Sequence, residues 1–321
     1  MNLHDITEFY KVPDIWWTSH LTPGIIKAEG KDTLDLLHRL STNACLNLQH
    51  GIGKQTILAT DKGRIIDVIT VIPQLNHFII LTSHGNESLV ISWLKKYIIM
   101  EDIHFTDIST TVDIISIHGS ASLDFITQFM QTDALSLPMH GIIQSQQSNT
   151  RVAIRTMPLH ELHFYILDNR DNNLLQWFKN QADIQEYDQA HTERERILSG
   201  MGVFPCELSE QYNPLEAGLL HLIDFKKGCY IGQEVIARLD SYNKVNKRLI
   251  GIVSEMKMYN GDSITINGES VGIITSTFHD EQCSIALGYL RSEHVYNEIP
   301  VTIVHGELNM EATVYTLPLR K

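Results

Sequence analysis

Along the first 180 residues, strand-length apolar runs alternate with segments whose apolar positions fall at helical spacing. Gly24–Glu29 reads as a strand. Gly30-Lys31-Asp32 turns it into Thr33–Leu40, where Leu34, Leu37 and Leu40 recur with helical period. Gln55–Thr60 and Ile65–Ile72 flank Asp61-Lys62-Gly63 and predict a hairpin, with glycine where positive φ is needed. His77–Leu81 predicts a third strand. Asn86–Tyr97 predicts an amphipathic helix with Leu89, Trp93 and Leu94 on its apolar side. The pattern then recurs. Val112–Ile117 is strand-like, and His118-Gly119-Ser120 leads into a helix from about Ala121 to Met130. Arg151–Thr156 and His163–Leu167 predict strands, and Asn172–Asn180 a helix. This is an α+β pattern in two similar units, without a readable sequence repeat.

The rhythm changes after about Asn243. Lys247–Glu255, Ser263–Ile266, Glu269–Thr277, Ser284–Leu290 and Val301–Val304 are short β runs, punctuated by Asn260-Gly261-Asp262, Asn267-Gly268 and Asn309. Asn-Gly between β runs is a strong hairpin signal, and evenly spaced short strands predict a small closed barrel. The expected division is 1–244 for the α+β body and 245–321 for the barrel.

Composition narrows the function classes. The formal net charge is −13, from 25 basic and 38 acidic residues, which opposes loose binding to nucleic acid. The 16 histidines are scattered, without metal-ligand spacing, so no metal site is expected. The four cysteines, Cys45, Cys206, Cys229 and Cys283, form no CxxC pair. That argues against a zinc ribbon or a protein-held iron–sulfur cluster and for a reducing compartment. The N-terminus lacks the pattern of a signal peptide, and no apolar run approaches the ~20 residues of a membrane span. The expected location is the cytoplasm, with no membrane and no direct nucleic-acid partner.

The chemistry concentrates between Glu193 and Arg248. Lys226-Lys227-Gly228-Cys229-Tyr230-Ile231-Gly232-Gln233-Glu234 packs two glycines, two cations, a thiol, an amide and a carboxylate into nine positions. Glycines let backbone approach a ligand closely. If a helix follows, Cys229 sits just before its N-terminus, where the dipole and the lysines favour thiolate. A tight turn around a buried structural thiol is the equal alternative. Glu216, in an apolar run, reads either as a buried carboxylate that needs a partner or a role, or as a carboxylate at a helix start. Arg194, Arg196, Lys226, Lys227, Arg238, Lys244, Lys247 and Arg248 enrich the region in cations, which suits either a carboxylate-bearing ligand or a solvated basic face.

The run Lys227–Leu239, KGCYIGQEVIARL, resembles the signature of the YgfZ-type folate-binding proteins, the iron–sulfur-maintenance relatives of the glycine-cleavage T-protein. Asn213–Leu219, Lys244–Arg248, Leu40–Asn43 and Asp61–Ile65 also match, and Ile117-His118-Gly119 stands at a family turn. The resemblance implies an α+β body of two similar units around a central hole, then a C-terminal β-barrel. It implies a tetrahydrofolate ligand and a role in assembly or repair of iron–sulfur proteins, including tRNA-modifying radical enzymes, as clients. It implies Cys229 as the working thiolate, with Lys227 and Asp67 beside it in catalysis. It implies Asn43, Arg64, Asp67, Arg196, Tyr230, Gln233, Glu234 and Arg238 as folate contacts. The alternative it implies is a folate-dependent aminomethyltransferase or other one-carbon transferase. Two departures bear on it. The T-protein's Asp pair is reduced to Asp67, and Leu198 stands where those relatives have a pterin-binding Glu. Pterin recognition would then pass to Glu193, Glu195 or backbone.

Overall fold

The computed structural model describes residues 9–156, 163–242 and 244–320. Chain contacts divide it into two compact units that interleave in sequence. The first holds Val12–Gln189 and His221–Gln233. The second holds the start of the chain to Lys11, Ala190–Leu220 and the residues from Glu234 on. The expected boundary at 245 lies two residues before the first barrel strand, but neither unit is one continuous stretch.

In chain order the first unit runs β1 (Trp16–Thr18), β2 (Gly24–Glu29), α1 (Thr33–Leu40), β3 (Lys54–Ala59), β4 (Ile65–Pro73), β5 (Phe78–Thr82), α2 (Glu87–Lys95), β6 (His104–Asp107), β7 (Val112–His118), α3 (Ser122–Met130), β8 (Ile142–Gln144), β9 (Val152–Thr156), β10 (His163–Asn169), α4 (Leu174–Lys179) and β11 (Gln185–Glu186). These strands make two sheets, ordered β3-β4-β5-β2-β6 and β11-β1-β7-β10-β9-β8. On the first sheet, Ile26, Leu58, Ile69 and Ile80 pack against Leu36, Leu37 and Leu40 of α1 and Val90, Trp93 and Leu94 of α2. On the second, Ile115, Ile117 and Phe164 pack against Ile126 and Met130 of α3 and Leu174 and Phe178 of α4. Alternation in the strands leaves each sheet a second face. Those faces meet, with Ile25, Ile72 and Leu81 against Ile154 and Leu167. The two expected α+β units are thus two helix-covered sheets.

One helix face differs from expectation. Leu89 is 42% exposed, and Val90 takes its place inward with Trp93 and Leu94. The i, i+3, i+4 set that faces the sheet starts one residue later than the sequence reading.

The second unit contains α5 (Gln189–Leu198), α6 (Gln233–Ser241) and β12 (Lys247–Ser254), β13 (Ser263–Ile266), β14 (Glu269–His279), β15 (Ser284–Arg291), β16 (Ile299–His305) and β17 (Leu308–Tyr315). The six strands close into a barrel in the order β12-β15-β14-β13-β16-β17. Closure removes free sheet edges. Asn267 and Gly268, both at positive φ, make the two-residue turn between β13 and β14. Ile252, Ile264, Leu290, Ile303 and Val314 fill the interior. Ile197 and Leu198 of α5 pack with Ile285, Leu287 and Tyr315 of the barrel strands.

Candidate functional site

The KGCYIGQE segment is built as a tight turn ending in α6, and it docks on two other stretches singled out in the sequence. α1 ends at Leu40, so its last carbonyls lack helical partners. The Lys227 ammonium supplies them. Its Nζ donates to the carbonyls of His38, of Ser41 at 2.5 Å and of Asn43 at 3.1 Å. Its charge lies 5.2 Å from the Tyr230 ring centre. Burial lowers the Lys227 pKa to about 8, so the cation persists at neutral pH. A cation at a helix C-terminus is favoured by the dipole as well as by the hydrogen bonds.

The second contact is steric. At Gly232, φ is +81°, and a Cβ would lie 2.4 Å from the Thr60 carbonyl oxygen and 3.1 Å from Gly63 Cα. Thr60–Arg64 is the β3–β4 hairpin turn, closed by Thr60 N–H donating to Arg64 O at 2.8 Å. Ser41–Asn43, Thr60–Arg64 and Lys227–Gln233 therefore form one locus. Cys229 projects from it exposed, with α6 starting four residues later at Gln233. The expected lysine beside the thiol turns inward to carbonyls instead. Cys229 is a reachable nucleophile, and Cys45 is a buried thiol whose pKa burial raises.

Other expected site residues have structural duties. Asp67 is fully buried and accepts from Val68 N at 2.8 Å, Ser83 N at 3.0 Å and Ser83 Oγ at 2.5 Å. Burial still raises its pKa to about 6. It ties β4 to the turn after β5, and a ligand would have to displace these donors to reach it. Asn43 bonds Thr56 Oγ1 through its N–H at 2.8 Å and Gln55 O through its amide at 3.2 Å.

Arg196 lies on α5 with its side chain 1% exposed. It grips Glu193 in a two-point pair, Glu207 at 3.2 Å and Met201 O at 2.6 Å. Glu207 in turn accepts from Thr275 Oγ1 at 2.5 Å and Ser276 Oγ at 2.6 Å. Arg196, expected as a folate contact, has its guanidinium engaged in this network. Leu198 is fully buried in apolar packing. Glu195 accepts from Arg194 at 2.9 Å and from Arg320. Neither Glu193 nor Glu195 is free to replace the carboxylate that Leu198 removes. Glu216 accepts from Asn213 N at 3.0 Å, while Asn213 Oδ1 accepts from the N–H of Leu215 and of Glu216. That reciprocal cap makes it structural too.

Glu234 and Arg238 sit one turn apart on α6. With Val235, Leu239, Lys244 and Asn246 they line a pocket of about 370 Å³. Gln233 opens the helix with its N–H on Tyr230 O at 3.2 Å. Tyr230 itself is 7% exposed, and its buried hydroxyl has no partner among the described residues. Burial raises its phenol pKa to about 12.

Sequence reasoning missed a buried polar column on the inward face of the second sheet. Trp16 stacks on His118 at 3.8 Å, and His118 on His163 at 4.1 Å. Ser116 Oγ lies 2.8 Å from His118 Nε2 and 2.5 Å from His163 Nε2. The signal was alternation: Ser116, His118, His163 and Tyr165 recur at period two inside otherwise apolar strands.

No group of three metal-ligating side chains occurs among the described residues. No described helix is long and apolar enough to cross a membrane.

Known proteins share this architecture. The structure superposes on the glycine cleavage system aminomethyltransferase T from Bartonella henselae with a TM-score of 0.82, covering 98% of this chain and 88% of that one at 15% identity. A putative chloroplastic transferase of Arabidopsis thaliana is 28% identical over 290 residues, 88% of this chain, which spans 66% of that protein's length. An aminomethyltransferase of Synechocystis is 27% identical over 82% of this chain and 74% of its own. The model of the GCVT N-terminal domain matches residues 19–227. The chain belongs to the GCVT N-terminal domain family.

Proposed function

We propose that this protein binds a tetrahydrofolate and serves assembly or repair of iron–sulfur proteins in the cytoplasm, as a YgfZ-type member of its family, with Cys229 as its working thiolate. The observation that carries the reading is the KGCYIGQE turn: Lys227 and Gly232 hold it rigidly, and it presents Cys229 to solvent. An octapeptide docked this way, with its thiol exposed, supports chemistry at sulfur. Folate in the family's glycine-cleavage members accepts a one-carbon unit. The residues here fit a polar ligand in two places. In the first unit Tyr230 offers an unpartnered buried hydroxyl. In the second, Arg238 and Lys244 line a pocket with the charge to hold carboxylates. The client proteins are iron–sulfur proteins.

A second reading, aminomethyl or other one-carbon transfer, is favoured by the names of the relatives. Against it stands Asp67, the single carboxylate left of the T-protein pair, sealed under Ser83 and Val68.

The test has two arms. Calorimetric titration with tetrahydrofolate should show micromolar binding for the wild type and for Cys229→Ala alike. In a host deleted for the protein, the wild-type gene should restore the activity of an iron–sulfur tRNA-modifying enzyme, and Cys229→Ala should not. Full restoration by Cys229→Ala would remove the thiolate from the mechanism. Turnover of an aminomethylated lipoyl carrier by the pure protein would establish the second reading.

A further inference from the structure

Nine buried side-chain polar atoms lack a hydrogen-bond partner among the described residues, and three of them share one column: Trp16 Nε1, His118 Nδ1 and His163 Nδ1. Trp16 is 1% exposed, His118 4% and His163 0%. Buried polar groups left unpaired carry a free-energy cost, so three together at one place call for a partner. Of the others, His140 Nδ1 and Arg155 Nε lie on a neighbouring pair of residues, and the Tyr230 hydroxyl belongs to the turn already described.

Ser116 fixes what that partner must offer. Both imidazoles are neutral, because burial pushes His118 down to about 3 and His163 well below its ordinary value. A serine hydroxyl has one proton. It donates to one Nε2 and accepts from the N–H of the other. The histidines therefore hold opposite tautomers. One Nδ1 is a bare acceptor, and the other carries a proton and donates. Trp16 adds a second donor. A matching group presents an acceptor oxygen beside an N–H. That is the edge of a lactam or primary amide. A carboxylate lacks the donor. A metal ion suits neither the protonated nitrogen nor two rings stacked within 18° of parallel.

We infer that Trp16, Ser116, His118 and His163 form a recognition site for a lactam edge, such as the N–H and C=O of a pterin-like heterocycle. This rests on the folate reading and supplies what Leu198 and the engaged Glu193 and Glu195 do not. Tyr165, edge-on to His163 at 4.4 Å, is the part-exposed member next to the column.

The test uses the full chain. ¹⁵N NMR of the imidazoles should show two neutral rings of opposite tautomer. Saturating tetrahydrofolate should shift both Nδ1 resonances. His163→Phe and His118→Phe keep a flat ring in the stack and delete the nitrogens. Each should weaken tetrahydrofolate binding by about tenfold or more, with thermal unfolding still cooperative. Wild-type affinity in both folded variants, with unmoved Nδ1 resonances, overturns the site while the folate reading stands. Absence of tetrahydrofolate binding by the wild type fails the folate reading, and 2-pyridone, a bare lactam, then decides the site: shifted Nδ1 resonances at tens of millimolar retain it, and unmoved ones leave only an internal water. If the Phe variants do not fold, the NMR titration of the wild type alone carries the decision.

Discussion

Lys227 carries its charge to backbone carbonyls. Read in sequence, a lysine two residues before a cysteine is an activator of the thiol. In the fold its ammonium closes the end of α1 by binding carbonyls of His38, Ser41 and Asn43. Each such bond joins a full charge to a carbonyl in a half-buried setting, where charge-assisted bonds exceed neutral ones. Lys227→Met keeps the length and deletes the donors. Stability to urea should fall by about 2 kcal/mol, because the carbonyls are left unpaired. Cys229→Ala, at an exposed position, should stay within ~0.5 kcal/mol of wild type. Equal stability of Lys227→Met and Cys229→Ala would show that the clamp contributes nothing. Arg196 teaches the same lesson in a deeper place. Its sequence neighbours announced a ligand-binding cation, and its neighbours in space are Glu193 and Glu207.

At the scale of elements, the two glycines of the motif separate two causes of constraint. Gly228 has φ +99° with open space around its Cα, whereas Gly232 has φ +81° with the Thr60 carbonyl 2.4 Å from where a Cβ would sit. Gly228→Ala meets only the backbone cost of positive φ, about 1–2 kcal/mol. Gly232→Ala adds a clash with backbone and pushes the turn off the β3–β4 hairpin, so its loss should exceed that of Gly228→Ala by ~1 kcal/mol or more. Chemical denaturation of the two variants decides it; equal losses would deny the docking of the turn on Thr60–Gly63. The elements themselves were largely legible in sequence. Apolar spacing gave α1 as Thr33–Leu40, and the Asn267-Gly268 signal gave the turn between β13 and β14. What was not legible has physical reasons. β1 and β11 are two or three residues long and are held by their neighbours. β17 was cut by reading Asn309 as a turn, although the chain turns at Gly306. α5 hid because Arg194, Glu195 and Arg196 are buried by pairing, which hydropathy reads as surface. The buried column was invisible for a related reason: a lone histidine in a strand says nothing until the register puts His163 opposite His118.

For the molecule as a whole, burial of titratable groups sets a pH dependence with opposing contributions. His118 and His163 are held neutral, their pKa values pushed down by burial, to about 3 for His118. In the unfolded chain both take up protons near pH 6.5. The unfolded state then binds more protons than the native one, so their contribution to stability is present above pH 6.5 and lost as pH falls. Asp67 works the other way. Its pKa is raised to about 6, so between about pH 4 and 6 the native state holds a proton that the unfolded state has released. Its contribution therefore declines as pH rises through that window. Two protons against one leave a net loss of stability on acidification of ~1.4 kcal/mol per pH unit between pH 6 and 4. His140, lowered to about 4 by burial and the charge of Lys54, adds to the loss. Denaturant midpoints measured across pH 4.5–7.5 on three proteins separate these contributions. Asp67→Asn removes the opposing group and should steepen the acid slope by ~1.4 kcal/mol per pH unit, whereas His163→Phe should flatten it by a similar amount. An unchanged slope in Asp67→Asn would mean that its carboxylate is already charged in the native state across this range. Its role would then be that of an ordinary ion in a polar pocket, and the donors on Ser83 and Val68 would outweigh its burial.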